Sequence, residues 1–334
     1  MKQTKNKVLI LGSLAFDYIM GFEENFTNAV SIDHQRGDYQ STITANSRIK
    51  YFGGTAGNIA YNLGLIKIGH VTLLGAVGED FNTLGYKEHI ERFNNIDLDV
   101  DIHPNDFTAA CYIVNDIKKN QMIIFHGGAL EKCKDIELNK KIRDPNNYIY
   151  AINSTQSVDA MICFADQLYK LKIPMIFDPG QVTPLFKKDV LRDIIEKSEI
   201  IIGNKYEIKQ ILTKTAWDEE TILTHVRAII KTKGEKGSEL IYKDKKEQSY
   251  NISIPISKPV EIKDTTGAGD GYRAGILSGL ILNMTLLDAC RLGSIIGSFV
   301  VETDGAQTQT FQIEDIRKRF FKTYDYIPSE LEIL

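Results

Sequence analysis

The chain has 334 residues, with 40 Lys and Arg against 44 Asp and Glu, so its formal net charge is −4. A hydrophobic content of 43% beside 25% charged residues fits an ordinary soluble globular protein with enough chain for a large core. The mild acidity argues against a nucleic-acid surface, which shows a basic stripe, and no apolar run approaches the ~18 residues of a membrane span.

The first apolar stretch, Val8–Leu11, is shorter than the ~7–15 residues of a signal-peptide core, so a cytoplasmic location is expected. Short apolar runs then recur, most ending on a polar residue or glycine: Val8–Leu11, Val71–Leu74, Tyr148–Ile152, Met175–Phe177, Ile200–Ile202 and Ala228–Ile230. Such runs suit strands buried on both faces. Helical spacing lies between them, over Asn58–Ile68, Asp189–Ser198 and Gly267–Leu282. Alternating strand and helix predicts a mostly parallel α/β sheet in a single domain over 1–334. Two stretches break the rhythm, about 16–52 and 103–126, where TAACYIVND and NQMIIFHGG read as strands joined by a turn through Asp116–Asn120. They predict a small β-sheet, either a lid over the strand ends or an edge extension. Cys111, Cys133, Cys163 and Cys290 form no CxxC pair and have no histidine at ligand spacing, which fits isolated thiols rather than a zinc site.

Ligands of open α/β sheets bind beyond the carboxyl ends of the strands. The polar residues there, Asp17, Asn153, Asp178, Asn204 and Thr232, are expected to converge, and Asn153 is counted with the substrate-binding residues. The chemistry is most legible in DTTGAGDGYRAGILSGL, residues 264–280. Glycines crowd the first turn of a helix although each costs ~1 kcal/mol against alanine in a helix interior. The free amides of Ala268, Gly269 and Asp270, just after Gly267, would form an anion hole at the positive end of the helix dipole, with the Asp270 carboxylate in the same pocket as general base. A capping loop is the simpler reading of the same residues.

The pattern D-T-x-G-A-G-D with a following A-G resembles the C-terminal signature of the ribokinase-like (PfkB) family of carbohydrate and nucleoside kinases. YFGGTAGNIAYNLGLI, residues 51–66, resembles its N-terminal signature; NKYE, Asn204–Glu207, its N-x-x-E motif; and TKGEKG, Thr232–Gly237, its T-x-G-x-x-G loop. The resemblance implies a three-layer α/β/α fold with a β-sheet lid and an ATP-dependent phosphotransferase. It also implies roles for single residues. Asp17, Gly53, Gly54 and Asn58 would bind substrate; Asn204, Thr232, Gly234 and Gly237 would contact ATP; Asn204 and Glu207 would reach Mg²⁺, mostly through water; Asp264 would be a monovalent-cation (K⁺) ligand. Read as residues alone, Asn204 and Glu207 also make a capping box, and the glycines also make plain turns. No GxxxxGK[ST] loop and no HRD or DFG set is present, and GAGDGY lacks the third dinucleotide glycine.

GGTAGNIAYNL, FHGGAL and FDPGQ resemble a prokaryotic adenosine-kinase-like subset, which implies adenosine or another purine nucleoside as acceptor. Phe16, Tyr39, Phe107 and Phe125 are candidate stacking residues for a base, or else the core of the small sheet. A sugar or sugar-phosphate kinase is the alternative, with Arg36, Arg48 and Lys50 as the basic residues a second phosphate would need; a non-catalytic nucleoside or ATP-binding protein is another. His126 reads first as a structural or lid residue, and the apolar tail Leu331, Ile333 and Leu334 as packing on the body or on a partner, a homodimer included.

Overall fold

Period-two burial hidden inside continuous apolar runs builds the central sheet. In Lys7–Leu11, Val8 and Ile10 enter one hydrophobic cluster while Leu9 and Leu11 enter another. Ile200 and Ile202 repeat this against Ile201. A strand covered on both sides needs no polar face, so the alternation leaves no mark in the sequence. The structure, a computed structural model, describes residues 6–33, 38–244, 246 and 248–333, without the side chains of 29–33 and 38–41.

The sheet has nine strands in the order Ser249–Ile254, Ser238–Lys243, Ala228–Thr232, Ile200–Asn204, Met175–Asp178, Tyr148–Ser154, Lys7–Leu11, His70–Gly78 and Ile96–His103. Ser238–Lys243 pairs antiparallel with both of its neighbours, and all other pairings are parallel. Helices Thr55–Ile66, Ala268–Ile281 and Leu286–Val300 cover one face; Val158–Leu171, Lys188–Glu196 and Lys205–Thr215 cover the other. This is the three-layer α/β/α arrangement, with the six expected strands and three expected helices in place. Helix Thr55–Ile66 begins three residues before the expected start and is buried almost all round, because Ala268–Ile281 packs beside it and Tyr86 and Phe93 close over its Gly57 and Gly64. The tail packs on the body: Leu331 is fully buried beside Ile316 and Phe320, and Arg317 Nε donates to its carbonyl. Ile333 is exposed, and Leu334 lies outside the described residues.

The two insertions form a separate four-stranded sheet in the order Ser47–Gly53, Ala15–Gly21, Ala109–Asn115 and Gln121–His126. Its last hairpin turns where the sequence predicts. Asp116 Oδ1 accepts from the amides of Lys118 and Asn120 at 2.9 and 2.8 Å, an Asx-type turn. A further pair, Val30–Asp33 with Asp38–Ser41, extends the first insertion.

Glycines in the helix Ala268–Ile281 fall every four residues, at Gly271, Gly275 and Gly279, and face the helix Leu286–Val300. A Cβ on Gly275 would lie 2.5 Å from the Gly293 Cα, and one on Gly279 would lie 2.6 Å from the Ala289 Cβ. These glycines let two backbones touch, so the glycine-rich motif serves packing as well as ligand approach. Gly275→Ala should lower stability by about 1–3 kcal/mol, the usual cost of overpacking, despite alanine's better helix propensity. An unchanged urea midpoint for this variant would show the contact to be loose.

Candidate active site

Asp270 is the third residue of the helix that starts after Gly267, whose φ of 78° turns the chain into its first turn. A Cβ on Gly267 would strike Ala306 at 2.5 Å, so the loop needs glycine twice over. The amides of Gly269 and Asp270 meet no acceptor among the described residues, while that of Ala268 makes a long 3.3 Å bond to the Thr265 carbonyl. The expected three-amide anion hole therefore has two open donors, and Ala268 is partly engaged. Asp270 Oδ2 accepts from Asn58 Nδ2 at 2.8 Å. Burial lifts the Asp270 carboxyl to about 7 against the pull of Arg273 and the Asn58 hydrogen bond, with the Asp178 and Asp17 charges pushing the same way as burial.

The helix start is anchored by a pair that the sequence reading did not form. Arg273 Nε and Nη2 donate to Asp178 Oδ2 and Oδ1, both at 2.6 Å, and Nη1 donates to the Gly269 carbonyl at 2.9 Å. Both side chains are almost fully buried. Arg273 lies one turn beyond Asp270, and a long helical side chain reaches back over the preceding turn. Asp178 was legible as a strand-end residue; its partner needed the fold.

Asp17 stands on the small sheet directly opposite Tyr51 on one side and Cys111 on the other, and Cys111 is opposite Phe125. Tyr51, Asp17, Cys111 and Phe125 thus form one rung on one face. Asp17 lies over the chain at Gly53, where a Cβ would come 2.2 Å from its Oδ2; Gly54, at φ 85°, passes the Ser13 carbonyl so closely that a Cβ would sit 2.5 Å away. Burial, then the charge of Asp264, raises the Asp17 carboxyl to about 6. The period of two sends Phe16 to the opposite face. It is fully buried against Phe52 and Tyr86 and is core, not a stacking residue. Phe125 and Phe107 are 57% and 69% exposed. Lys50 and Arg48 also leave the Asp17 face: Lys50 Nζ donates to the Leu84 carbonyl and Arg48 stacks over Tyr18. Arg36 and the side chain of Tyr39 lie outside the described residues.

At the other end Asn204 and Thr232 sit side by side at the ends of adjacent strands. Asn204 and Glu207 form a capping box: Asn204 Oδ1 accepts from the amides of Tyr206 and Glu207 at 2.8 and 3.0 Å, and Glu207 Oε2 accepts from the Asn204 amide at 2.6 Å. The Lys233–Gly237 turn carries Gly234 and Gly237 at positive φ; a Cβ on Gly234 would face open space, and one on Gly237 would strike the Ile254 carbonyl. Asp264 directs one oxygen to the Thr266 amide and the other to the Gly305 amide, tying the loop at 264–266 to the turn at 305. No group of three His, Cys, Asp or Glu residues converges on a metal position among the described residues. Asn153 does not join the others. It is fully buried and its amide donates to the Met161 carbonyl at 2.8 Å, because it points into the layer beneath helix Val158–Leu171.

Behind Asp270 runs a polar network absent from the sequence reading. Gln307 Nε2 donates to Asn58 Oδ1 at 2.9 Å and to the Tyr86 hydroxyl at 2.8 Å; Tyr86 donates to the Gly53 carbonyl at 2.6 Å. Gln309 Nε2 donates to Asn62 Oδ1 at 2.9 Å. The available signal was Asn58 and Asn62 four apart on an otherwise apolar helix, answered by glutamines two apart at 307 and 309.

The profile of the pfkB family carbohydrate kinases matches residues 7–312, and the chain belongs to that family. It is a phosphotransferase acting on a hydroxyl group. A nucleoside kinase of Methanocaldococcus jannaschii is 32% identical over 314 residues, covering 90% of this chain and 92% of that one. The structure of the Burkholderia thailandensis nucleoside kinase in complex with inosine superposes with a TM-score of 0.83 at 30% identity, covering 96% of this chain and 100% of that one. A ribokinase of Arabidopsis thaliana complexed with ribose and ATP shares the fold, with a TM-score of 0.76 at 19% identity over 94% of this chain and 98% of that one.

Asp270→Asn should fold and lose about 10²–10⁴ in turnover, the usual size of a lost general base. The same variant should show an opposite effect on stability. The folded Asp270 carboxyl keeps its proton up to about 7, whereas the unfolded one releases it near 3.8, so the parent loses stability as pH rises across that window. The melting temperature of Asp270→Asn relative to the parent should therefore rise from about pH 4 to 7 and then level off; a flat difference would count against the raised proton affinity. For Glu207→Gln, glutamine still completes a capping box, so melting should barely move. A higher Mg²⁺ requirement in that variant would assign Glu207 to the metal shell, and an unaltered titration would leave only the cap.

Proposed function

We propose that this chain transfers the γ-phosphoryl group of MgATP to the 5′-hydroxyl of a purine nucleoside, with adenosine as first candidate, a salvage reaction. The observation that carries the reading is the rung of Tyr51, Asp17, Cys111 and Phe125 on one face of the small sheet. A nucleoside needs a carboxylate for ribose hydroxyls and an apolar surface for the flat base, and the rung offers the two side by side. Asp17 and Asn58 would hold the ribose hydroxyls. The small sheet would act as the lid, closing the site with the base beneath Phe125.

Asp270 would take the proton of the 5′-hydroxyl as its oxygen attacks the γ-phosphorus and the bond to the ADP oxygen breaks. Its proton affinity near neutrality suits that task. The open amides of Gly269 and Asp270, at the positive end of the helix, would hold the transferring oxygens. Asn204, Thr232 and the Lys233–Gly237 turn would hold the ATP phosphates. Asn204 and Glu207 would hold the magnesium that accompanies ATP, mostly through water, and the ion would supply neutralisation of the phosphate charge. The inosine complex of the Burkholderia protein supports a purine nucleoside over a bare sugar. The sugar-phosphate alternative is weakened because Arg48 and Lys50 face away from Asp17.

An ADP-release assay over adenosine, inosine, guanosine, cytidine, ribose and fructose 6-phosphate tests the reading. A purine nucleoside should exceed the sugars in kcat/KM by at least about 10-fold, a difference of ~1.4 kcal/mol that one stacked base can supply. Asp17→Asn should raise the KM for the nucleoside far more than that for ATP. Preference for ribose or fructose 6-phosphate would overturn the nucleoside assignment and leave the Asp270 chemistry standing.

A further inference from the structure

Asn58 touches Asp270 through an amide whose two ends look alike but act oppositely, one donating and one accepting. Only the donating end helps a carboxylate base. Turned round, Asn58 would present its oxygen to the Asp270 carboxylate and its NH₂ to the NH₂ of Gln307. The orientation is set further back. Gln307 uses both amide protons, on Asn58 Oδ1 and the Tyr86 hydroxyl, and its Oε1 lies 3.1 Å from His89 Nε2. His89 is stacked between Phe52 and Tyr61, with ring centroids 4.2 and 5.2 Å away. Burial and the neighbouring Arg92 push its proton affinity down to about 4, against the contact with Gln307, so the ring is neutral near pH 7. A neutral ring facing a carbonyl oxygen carries its single proton on Nε2. Every donor from His89 to Asp270 then meets an acceptor in one direction only.

We propose that Gln307 and His89 are positioning residues that lock the Asn58 amide with its NH₂ toward Asp270, keeping the base ready for the acceptor's proton. The proposal rests on Asp270 as the base. Around Asp270, the carboxylates of Asp17 and Asp178 favour its protonated form, while Arg273 and the Asn58 NH₂ oppose it. Losing the Asn58 orientation removes one of the two opposing contacts. The same relay joins three distant stretches of chain, the loop at 307, the helix Thr55–Ile66 and the helix Tyr86–Glu91.

The test is the pH profile of kcat/KM, whose acid limb reports the base in the free enzyme. Gln307→Leu should move that limb up by about half a unit or more. Gln307→Glu keeps the side-chain length but draws the Asn58 NH₂ toward its own carboxylate, so it should shift the limb in the same direction. His89→Phe keeps an aromatic ring in the stack and removes both ring nitrogens, and with them the Nε2 proton; a smaller shift in the same direction is expected. In an Asp270→Asn background, Gln307→Leu should cost less than about twofold more, because both act through one group. Should Gln307→Leu fail to fold, Gln307→Glu and His89→Phe carry the test. Folded variants with reduced rates and an unmoved limb, or losses that multiply with Asp270→Asn, would overturn the relay and leave a structural role. Near-normal turnover by Asp270→Asn would instead overturn the base assignment itself.

Discussion

The buried ion pair between Arg273 and Asp178 is the constraint on which the site depends. One side chain belongs to the helix that carries Asp270, the other to the end of a central strand. The bidentate geometry fixes both distance and angle, and the third guanidinium contact, to the Gly269 carbonyl, holds the first turn itself. Such a pair need not stabilise the fold, since removing two charges from water costs about as much as their attraction returns. Its value here is positional. Removing either partner alone would leave the other's charge buried and unpaired beside the helix that carries the base, a change worth about 3–5 kcal/mol in typical cases.

The same burial that makes the site organised makes it costly. Asp270 and Asp17 both bind protons more tightly than free carboxylates, because the surrounding chain excludes water from them. A fold selected for stability alone would not bury Asp270 where the charge of Asp17 raises its proton affinity further. The polar network around Asn58, Gln307 and Tyr86 limits the penalty by giving the neutral buried groups partners. Stability is thus given up at the acid–base group and recovered in the amides behind it.

Glycine does two kinds of work in this chain. At Gly54 and Gly267 the backbone adopts a positive φ that a side chain would resist, and each position opens a helix at the site. At Gly275 and Gly279 the backbone is ordinary helix, and the missing Cβ makes room for a neighbouring helix. Both kinds occur in the one glycine-rich stretch, so ligand approach accounts for only part of its glycines.

The sequence by itself determined the layered α/β architecture, most strand positions, the small separate sheet and the family signatures at 51–66, 204–207, 232–237 and 264–280. These are local properties: hydrophobic runs, turn residues and motif spacing all act over a few neighbours. It also held a clue that went unread, since Phe16 and Asp17 are adjacent in a strand and must face opposite ways. Tertiary structure alone decided that Arg273 meets Asp178, that Gln307 and His89 stand behind Asn58, and that Asn153 turns into the core. Those pairings join residues up to 249 positions apart. Side-chain type limits which partners are chemically acceptable, but with several amides and carboxylates available, only the packing of helices on the sheet selects which of them meet.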